Sequence, residues 1–416
     1  MSEKTINKVP NVPNLRFRQF VNPYKIWKCS DFLKFFPTNS LSWDQLSYTE
    51  QNEFLNLHYG LIHNGAPTLI DCERYQLPYI QINIKNYTLC DDGDVIFADA
   101  SEDTKDICKP VEFINISKNN VVCGLHTIHA RDYQNLTILG YKGYLFSSYN
   151  FHKQVHRLTQ GTKIFSINSS NFKEMFVGIP EKAEQKEIVL FLAKIDERID
   201  TQSKIIKEYK TLKNAIINHL FFCNSNLDEK IKLSKFATLR NGYAFKSSDY
   251  TDNGNYNILT IANVKGDRYI YASECNKIGE IPKDIQNHQI LKINDILISL
   301  TGNVGRVSLV NIDNCLLNQR VGVLSILDEN YREYIFQVIS SKHFENKMIL
   351  KGQGAAQKNI GNDDIESFDI PFSKNHLYMN KLVNLLVSFD KKIATEEQIL
   401  NDYQSQKKYL LNNMFI

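Results

Sequence analysis

Residues 191–222 and 385–416 read as one segment written twice, 194 residues apart, and the copies align without a gap. The pairs Leu192/Leu386, Asp196/Asp390, Ile199/Ile393, Thr201/Thr395, Ile205/Ile399, Tyr209/Tyr403, Lys213/Lys407, Asn218/Asn412 and Phe221/Phe415 are identical, and most other apolar positions stay apolar. In the first copy Ile188, Leu192, Ile195, Ile199, Gln202, Ile206, Tyr209, Lys213, Ile216 and Leu220 are spaced alternately by four and three. The second copy repeats the seam with Leu382, Leu386, Phe389, Ile393, Glu396, Leu400, Tyr403, Lys407, Leu410 and Met414. A strand alternates with period two, so these heptad seams predict long helices. Two unrelated amphipathic surface helices would explain the spacing. They would not explain why the polar interruptions Gln202/Glu396 and Lys213/Lys407 fall at matching places.

The stretches before each helix repeat more loosely. DVIFA at 94–98 matches DILIS at 295–299, Gln160-Gly161 up to Ile167 matches Gln353-Gly354 up to Ile360, and VGIP at 177–180 matches FDIP at 368–371. Proline fits the first turn of a helix, so Pro180 and Pro371 read as helix starts. The predicted order is a globular domain over 10–178, a long helix over 179–223, a globular domain over 230–370 and a long helix over 371–416. Residues 224–230 (NSNLDEK) form a polar linker. The globular parts read as mixed structure rich in short strands, with 296–300 and 306–310 flanking a turn at 301–305 (TGNVG).

The composition bounds the function. At 416 residues the chain has room for two or three domains. A net charge of +3 allows a nucleic-acid partner without demanding one. The eight cysteines contain no C-x-x-C pair and the ten histidines show no metal spacing, so no metal site and no disulfide framework is expected. No run approaches about 18 apolar residues, and the first residues have no signal core. The expectation is a cytoplasmic protein with no membrane partner. Asn22-Pro23-Tyr24 lacks the second proline of a methyltransferase site, no Gly-Lys-Ser/Thr loop occurs, and the acidic pairs Asp91-Asp92, Glu102-Asp103 and Asp363-Asp364 look like loop or helix-start residues. No catalytic residue is assigned.

Basic charge is locally concentrated. Residues 133–173 contain no Asp or Glu, yet hold Lys142, Lys153, Arg157, Lys163 and Lys173, with His152 and His156 and with Tyr141, Tyr144, Tyr149 and Phe151 interleaved. Such a run suits a surface that tracks phosphates and contacts bases. A hydrophobic β segment with a solvated basic edge is the bland alternative. Smaller acid-free windows follow at 233–248, 296–311 and 347–362. Arg, Lys, Asn and Gln make paired hydrogen bonds to base edges. The candidate DNA-contacting residues are therefore Arg131, Lys153, His156, Arg157, Lys163, Arg240, Lys246, Asn303, Arg306, Gln319, Arg320, Lys351, Gln357, Lys358 and Asn359.

Several segments resemble the specificity subunits of Type I restriction–modification systems. The start VPNLRF (12–17) is similar to theirs, as are LISLTGNVGR (297–306), LNQR (317–320) and GAAQKNI (354–360). FADASED (97–103) and GLHTI (124–128) resemble another variety of the recognition domain. That variety departs from the Thr-Gly-Asn pattern, so contacts do not transfer between the halves. The resemblance implies an α+β protein: two mixed α/β target recognition domains, each followed by a long helix, the helices pairing as an antiparallel coiled coil with pseudo-two-fold symmetry. It further implies that each domain reads one half of a split double-stranded DNA target. Two methyltransferase subunits would dock on the chain, and restriction subunits would join them. S-adenosylmethionine, ATP and Mg would sit on those partners, with no cofactor in this chain. A helix of about 33 residues spans about 50 Å, enough for half-sites about 34 Å apart. A coiled-coil scaffold that binds only protein is the competing class.

For an antiparallel pair the seam also predicts a register. A partly buried charge must be matched, which favours Lys213 opposite Glu396, Gln202 opposite Lys407, Tyr209 beside Leu400 and Ile206 beside Tyr403. A slide of one heptad would set Lys213 against Phe389.

Overall fold

Residues 95–98 and 296–299 are apolar or small at every position, as a strand covered on both faces requires. In the computed structural model each is an inner strand of a sheet. The structure describes residues 11–85, 87–102, 106–116, 119–159, 165–223, 227, 229–271, 275–352 and 359–416. It divides into two compact units: residues up to Thr201 together with Leu400–Ile416, and Gln202–Ile399.

In the first unit a five-stranded sheet runs Leu33–Phe36, Thr127–Asp132, Val95–Ala98, Pro110–Ile114, Leu69–Asp71. One face, through Val95, Phe97, Ile128 and Ala130, packs on the short helices Tyr141–Phe146 and Tyr149–Leu158 and on Ile188, Leu192, Ile195, Leu410, Met414 and Phe415. The other face, through Ile96, Ala98, Val111 and Phe113, meets Leu57, Ile62, Val121 and Cys123. The 12–17 motif is part of this assembly. Arg16 grips the fully buried Glu184 through Nε (2.8 Å) and Nη2 (2.6 Å), and the Tyr24 hydroxyl donates to the same carboxylate at 3.1 Å.

The second unit repeats the plan with a four-stranded sheet in the order Ala237–Asn241, Val321–Ile326, Ile296–Ser299, Val307–Leu309. The last two strands form the hairpin expected around residues 301–305, with Ile296 facing Leu309. Both units also contain a parallel strand pair, Phe54–Leu57 with Asn120–Cys123 and Tyr256–Leu259 with Cys315–Leu317.

The two heptad runs are helical over Lys182–Ile217, continuing as π-helix through Asn218–Cys223, and over His376–Asn413. Pro180 does precede the first helix. Pro371 does not start the second; it lies in the strand Asp369–Phe372, paired only with Glu229–Lys232 in a two-stranded sheet, where a missing N–H is tolerated. No described helix is long and apolar enough to cross a membrane.

The seam register differs from the expectation. Within the second unit Gln202 Nε2 donates to Glu396 Oε2 at 2.5 Å, and Lys213 Nζ lies 2.5 Å from Asp390 Oδ1, not near Glu396. Within the first unit Lys407 pairs with Asp196 at 2.6 Å, and Tyr403 lies under the Arg198 guanidinium. The premise that a buried ammonium needs a partner is sound, but the partner sits beside the seam rather than on it. Asp390 follows Phe389, so sliding one heptad costs no unmatched charge.

Helix Tyr149–Leu158 is capped by Ser148 and turns Phe151 and Val155 inward while Tyr149, Lys153, His156 and Arg157 are exposed. Between the two faces, burial and then the neighbouring His156 push the His152 imidazole down to about 4, with Asp106 opposing.

Two outcomes follow. Asp390 also accepts from Arg268 (2.8 Å) and Gln337 (2.7 Å), so Asp390→Asn strands a buried lysine and is expected to cost about 3–5 kcal/mol in denaturant unfolding. Asp196→Asn, whose side chain is more exposed, should cost less; equal costs would contradict this account. For His152 the folded pKa is depressed, so the stabilising contribution is complete above about pH 6.5 and fades as pH falls toward about 4. Wild type should lose up to about 3 kcal/mol more than His152→Gln across that window, and parallel pH profiles would refute it.

Candidate nucleic-acid interface

In the second unit antiparallel register brings three chain segments to one end of the sheet. Asn241 faces Gly322, and Ser299 faces Val321. The chain therefore leaves Asn241, enters at Val321 and leaves Ser299 at the same edge. Backbone bonds tie the loops together there: Leu300 N to Arg320 O at 3.0 Å, Gln319 N to Tyr243 O at 2.9 Å, and Ile360 N to Leu300 O at 3.0 Å. The Thr301–Asn359 bridge adds a fourth loop. The turn depends on Gly302, whose φ of 70° suits glycine. It is locked by the Ser299 hydroxyl, which donates to Asn303 O and accepts from Arg306 N.

Arg240, Asn303, Gln319, Arg320 and Asn359 thus gather at this edge with exposed side chains. Among the described residues the side chains of Arg240, Asn303, Gln319 and Arg320 make no hydrogen bond or ion pair, leaving their donors available to a ligand. Lys246 is exposed in the loop that follows Tyr243. Arg306 is at the same edge but leans on Glu345, 3.3 Å away. Lys351 donates to Asp364 O and Ser367 Oγ, both at 2.8 Å, joining two helices. Gln357 and Lys358 lie outside the described residues.

The matching edge of the first unit, where Thr127 faces Ala98, has different chemistry. Here Trp43, His58, Tyr59, His63 and His126 form a chain of ring contacts: Trp43–His58 5.3 Å, His58–Tyr59 4.6 Å, Tyr59–His63 5.9 Å and Tyr59–His126 5.2 Å. His126 Nδ1 lies 3.3 Å from Asp99 Oδ1. Burial raises the Asp99 pKa, opposed by His126; burial and then His126 lower that of His58. Gly124 makes the turn possible, because a Cβ there would lie 2.3 Å from Asn56 Oδ1 and 2.9 Å from Leu57 O. None of these residues is among the sequence candidates, although His126 falls in the GLHTI motif and its partner Asp99 in FADASED.

The acid-free window divides between core and surface. Lys142 is not on the surface: it is buried with its Nζ 3.1 Å from Glu112 Oε1, and Glu112 accepts from Gly140 N and Gly143 N. Tyr141, Tyr144 and Phe151 are core. The outward residues of the next helix are Tyr149, Lys153, His156 and Arg157, at spacings of four, three and one on one helix face, while exposed Lys173 ends a later short helix and lies over Phe35. Lys163 lies outside the described residues. Arg131 is engaged elsewhere, 2.5 Å from Asp91, 2.7 Å from Asp94 and stacked over Phe36, so its charge is neutralised locally.

The remaining seam residues hold the helices. Leu192, Ile195, Ile206, Leu386, Ile393 and Glu396 are buried, Ile199 packs on the first core, and Phe389 and Leu400 are half-buried. Tyr209 lies under Lys392.

Residues 67–211 and 228–402 match the family model of the Type I restriction modification DNA specificity domain. The chain is 25% identical over 280 residues to the Type I restriction enzyme MjaVIII specificity subunit of Methanocaldococcus jannaschii, covering 61% of this chain and 64% of that one. It is 23% identical over 269 residues to the putative Type I restriction enzyme MjaX specificity subunit of the same organism, covering 59% and 60%. The match thus spans a little under two thirds of each relative. The fold is similar to the crystal structure of a Type I restriction–modification S subunit from M. genitalium, with a TM-score of 0.50 at 14% identity over 97% of this chain and 99% of that one. It is similar, too, to a chain solved in work on complex assembly and conformational transition of the Type I restriction–modification system, with a TM-score of 0.51 at 14% identity over 93% and 96%. The two matched segments together cover more than half of the chain and place it in the Type I restriction modification DNA specificity domain family.

Proposed function

We propose that this chain gives a Type I restriction–modification complex its DNA sequence specificity, each unit reading one part of a two-part double-stranded target. The observation that carries this reading is the sheet edge of the second unit, where Arg240, Asn303, Gln319 and Arg320 present base-reading donors on loops fixed from behind by backbone bonds. At the first unit's edge the histidines and aromatics would read bases, with Lys153, His156 and Arg157 on phosphates. The two long helices pair as an antiparallel coiled coil; in support, contact partners run in opposite chain directions within each unit. The chain contributes no catalytic group. It acts as a scaffold for two methyltransferase subunits, which carry S-adenosylmethionine, and through them for restriction subunits using ATP and Mg. Lys163, Lys246, Arg306, Lys351, Gln357, Lys358 and Asn359 are further candidate contacts.

The test uses the chain bound to its methyltransferase subunits, with methylome sequencing and binding measured against salt. Arg320→Ala and Asn303→Ala should each cost about 1–3 kcal/mol and relax one target position in the same half-site. An unchanged motif with both variants would overturn the assignment. Lys153→Ala and Arg157→Ala should instead weaken all sequences alike, each lowering the salt slope by about one; unaltered slopes would remove that helix from the interface.

A further inference from the structure

Under the first unit's sheet, Cys90, Cys123 and His129 turn toward one another from three separate segments. They are 3%, 2% and 0% exposed. The two sulfurs are 3.3 Å apart, and one donor atom from each residue lies within 4.8 Å of the other two. His129 Nε2 is 2.6 Å from Asp94 Oδ2, and Asp94 is in turn held by Arg131. A carboxylate only accepts, so Nε2 holds a proton, and in the neutral imidazole Nδ1 then presents a lone pair. That Nδ1 is buried with no hydrogen-bond partner among the described residues. A buried lone pair without a donor is costly.

The second unit shows what this fold uses when it needs only packing. Strand register equates His129, which faces Ile96, with Val323, which faces Leu297. The parallel pairs ending in Leu57–Cys123 and Leu259–Leu317 equate Cys123 with Leu317, and the pairings Leu89–Val122 and Ile290–Leu316 equate Cys90 with Leu291. All three counterparts are aliphatic and belong to one apolar cluster. The fold therefore does not require polar atoms at these positions, and the first unit has placed two thiols and an imidazole there together.

We propose that Cys90, Cys123 and His129 hold a divalent thiophilic metal ion of the zinc class. Donor atoms around such an ion lie about 3.5–3.8 Å apart, from bonds of about 2.0–2.3 Å, so the sulfurs need to part slightly and the imidazole, within 4.8 Å of both, to close in by about an ångström at most. Binding releases one proton from each thiol; two thiolates then neutralise the divalent charge, whereas a monovalent ion would leave a net negative charge buried. Asp94 orients the imidazole from behind, as carboxylates do for metal-bound histidines. The fourth position falls to a small exogenous ligand. Spacing alone hid this set, since its members share no short motif.

The full chain, purified without chelator after growth with zinc, is expected to carry one equivalent by elemental mass spectrometry. Cobalt(II) in its place should give a thiolate-to-metal charge-transfer band. Cys90→Ser and Cys123→Ser should each abolish both signals. The triple variant Cys90→Leu, Cys123→Leu, His129→Val copies the second unit and should fold, by circular dichroism and gel filtration, with no metal, separating loss of ligands from loss of fold. A folded wild-type chain that binds neither zinc nor cobalt, a Cys90–Cys123 disulfide found by mass spectrometry, or metal retained by the triple variant would each overturn the proposal.

Discussion

A lysine ammonium drawn out of water needs a carboxylate within reach, and twice in this chain an aspartate on one long helix supplies it to the other. Lys213 meets Asp390 within the second unit and Lys407 meets Asp196 within the first. Each aspartate also reaches into its own globular layer. Asp390 accepts from Gln337 and Arg268, and Asp196 accepts from the Tyr144 hydroxyl at 2.9 Å. One carboxylate therefore fixes helix to helix and helix to sheet cover in the same place. Buried ion pairs add little net stability compared with apolar packing, but breaking one is expensive, so they penalise every competing register. Burial pulls the Lys213 pKa down against the opposing field of Asp390.

The helical periodicity and the repeat were plain in the sequence because they are local patterns, and so was the hairpin around Gly302. What escaped depends on partners far apart in the chain. The register reading weighed seam positions only, and Asp390 lies one step off the seam. Lys142 counted toward the acid-free window, but the fold buries it against Glu112, and the candidate Arg131 is held by Asp91 and Asp94. Pro371 looked like Pro180, although it occupies a strand. The edge of the second unit was partly legible because its motifs are rich in Asn, Gln and Arg near glycine turns. At the first unit's edge, Trp43, His58 and His126 meet only through strand pairing.

The two edges show how one backbone plan carries two surfaces. The order and register of four sheet strands repeat, while the loops after the central strand diverge: a glycine turn braced by Ser299 in one unit, a histidine–carboxylate contact between His126 and Asp99 in the other. Each loop is held by backbone hydrogen bonds to its neighbours, so the scaffold does not depend on which side chains the loop displays.

Leu410, Met414 and Phe415 are core residues of a unit whose sheet was laid down before residue 133. A ribosome delivers the chain from its N-terminus, so the first unit emerges with part of its apolar face uncovered. It keeps that face while all of Gln202–Ile399 is synthesised, at roughly 5–20 residues per second. The later unit can finish folding first. During those seconds the exposed strip over Tyr141 and Ile188 is a ready surface for chaperones or for another nascent copy. Truncations that spare both sheets but remove the final helical turns would then leave a soluble second unit attached to an aggregation-prone first one.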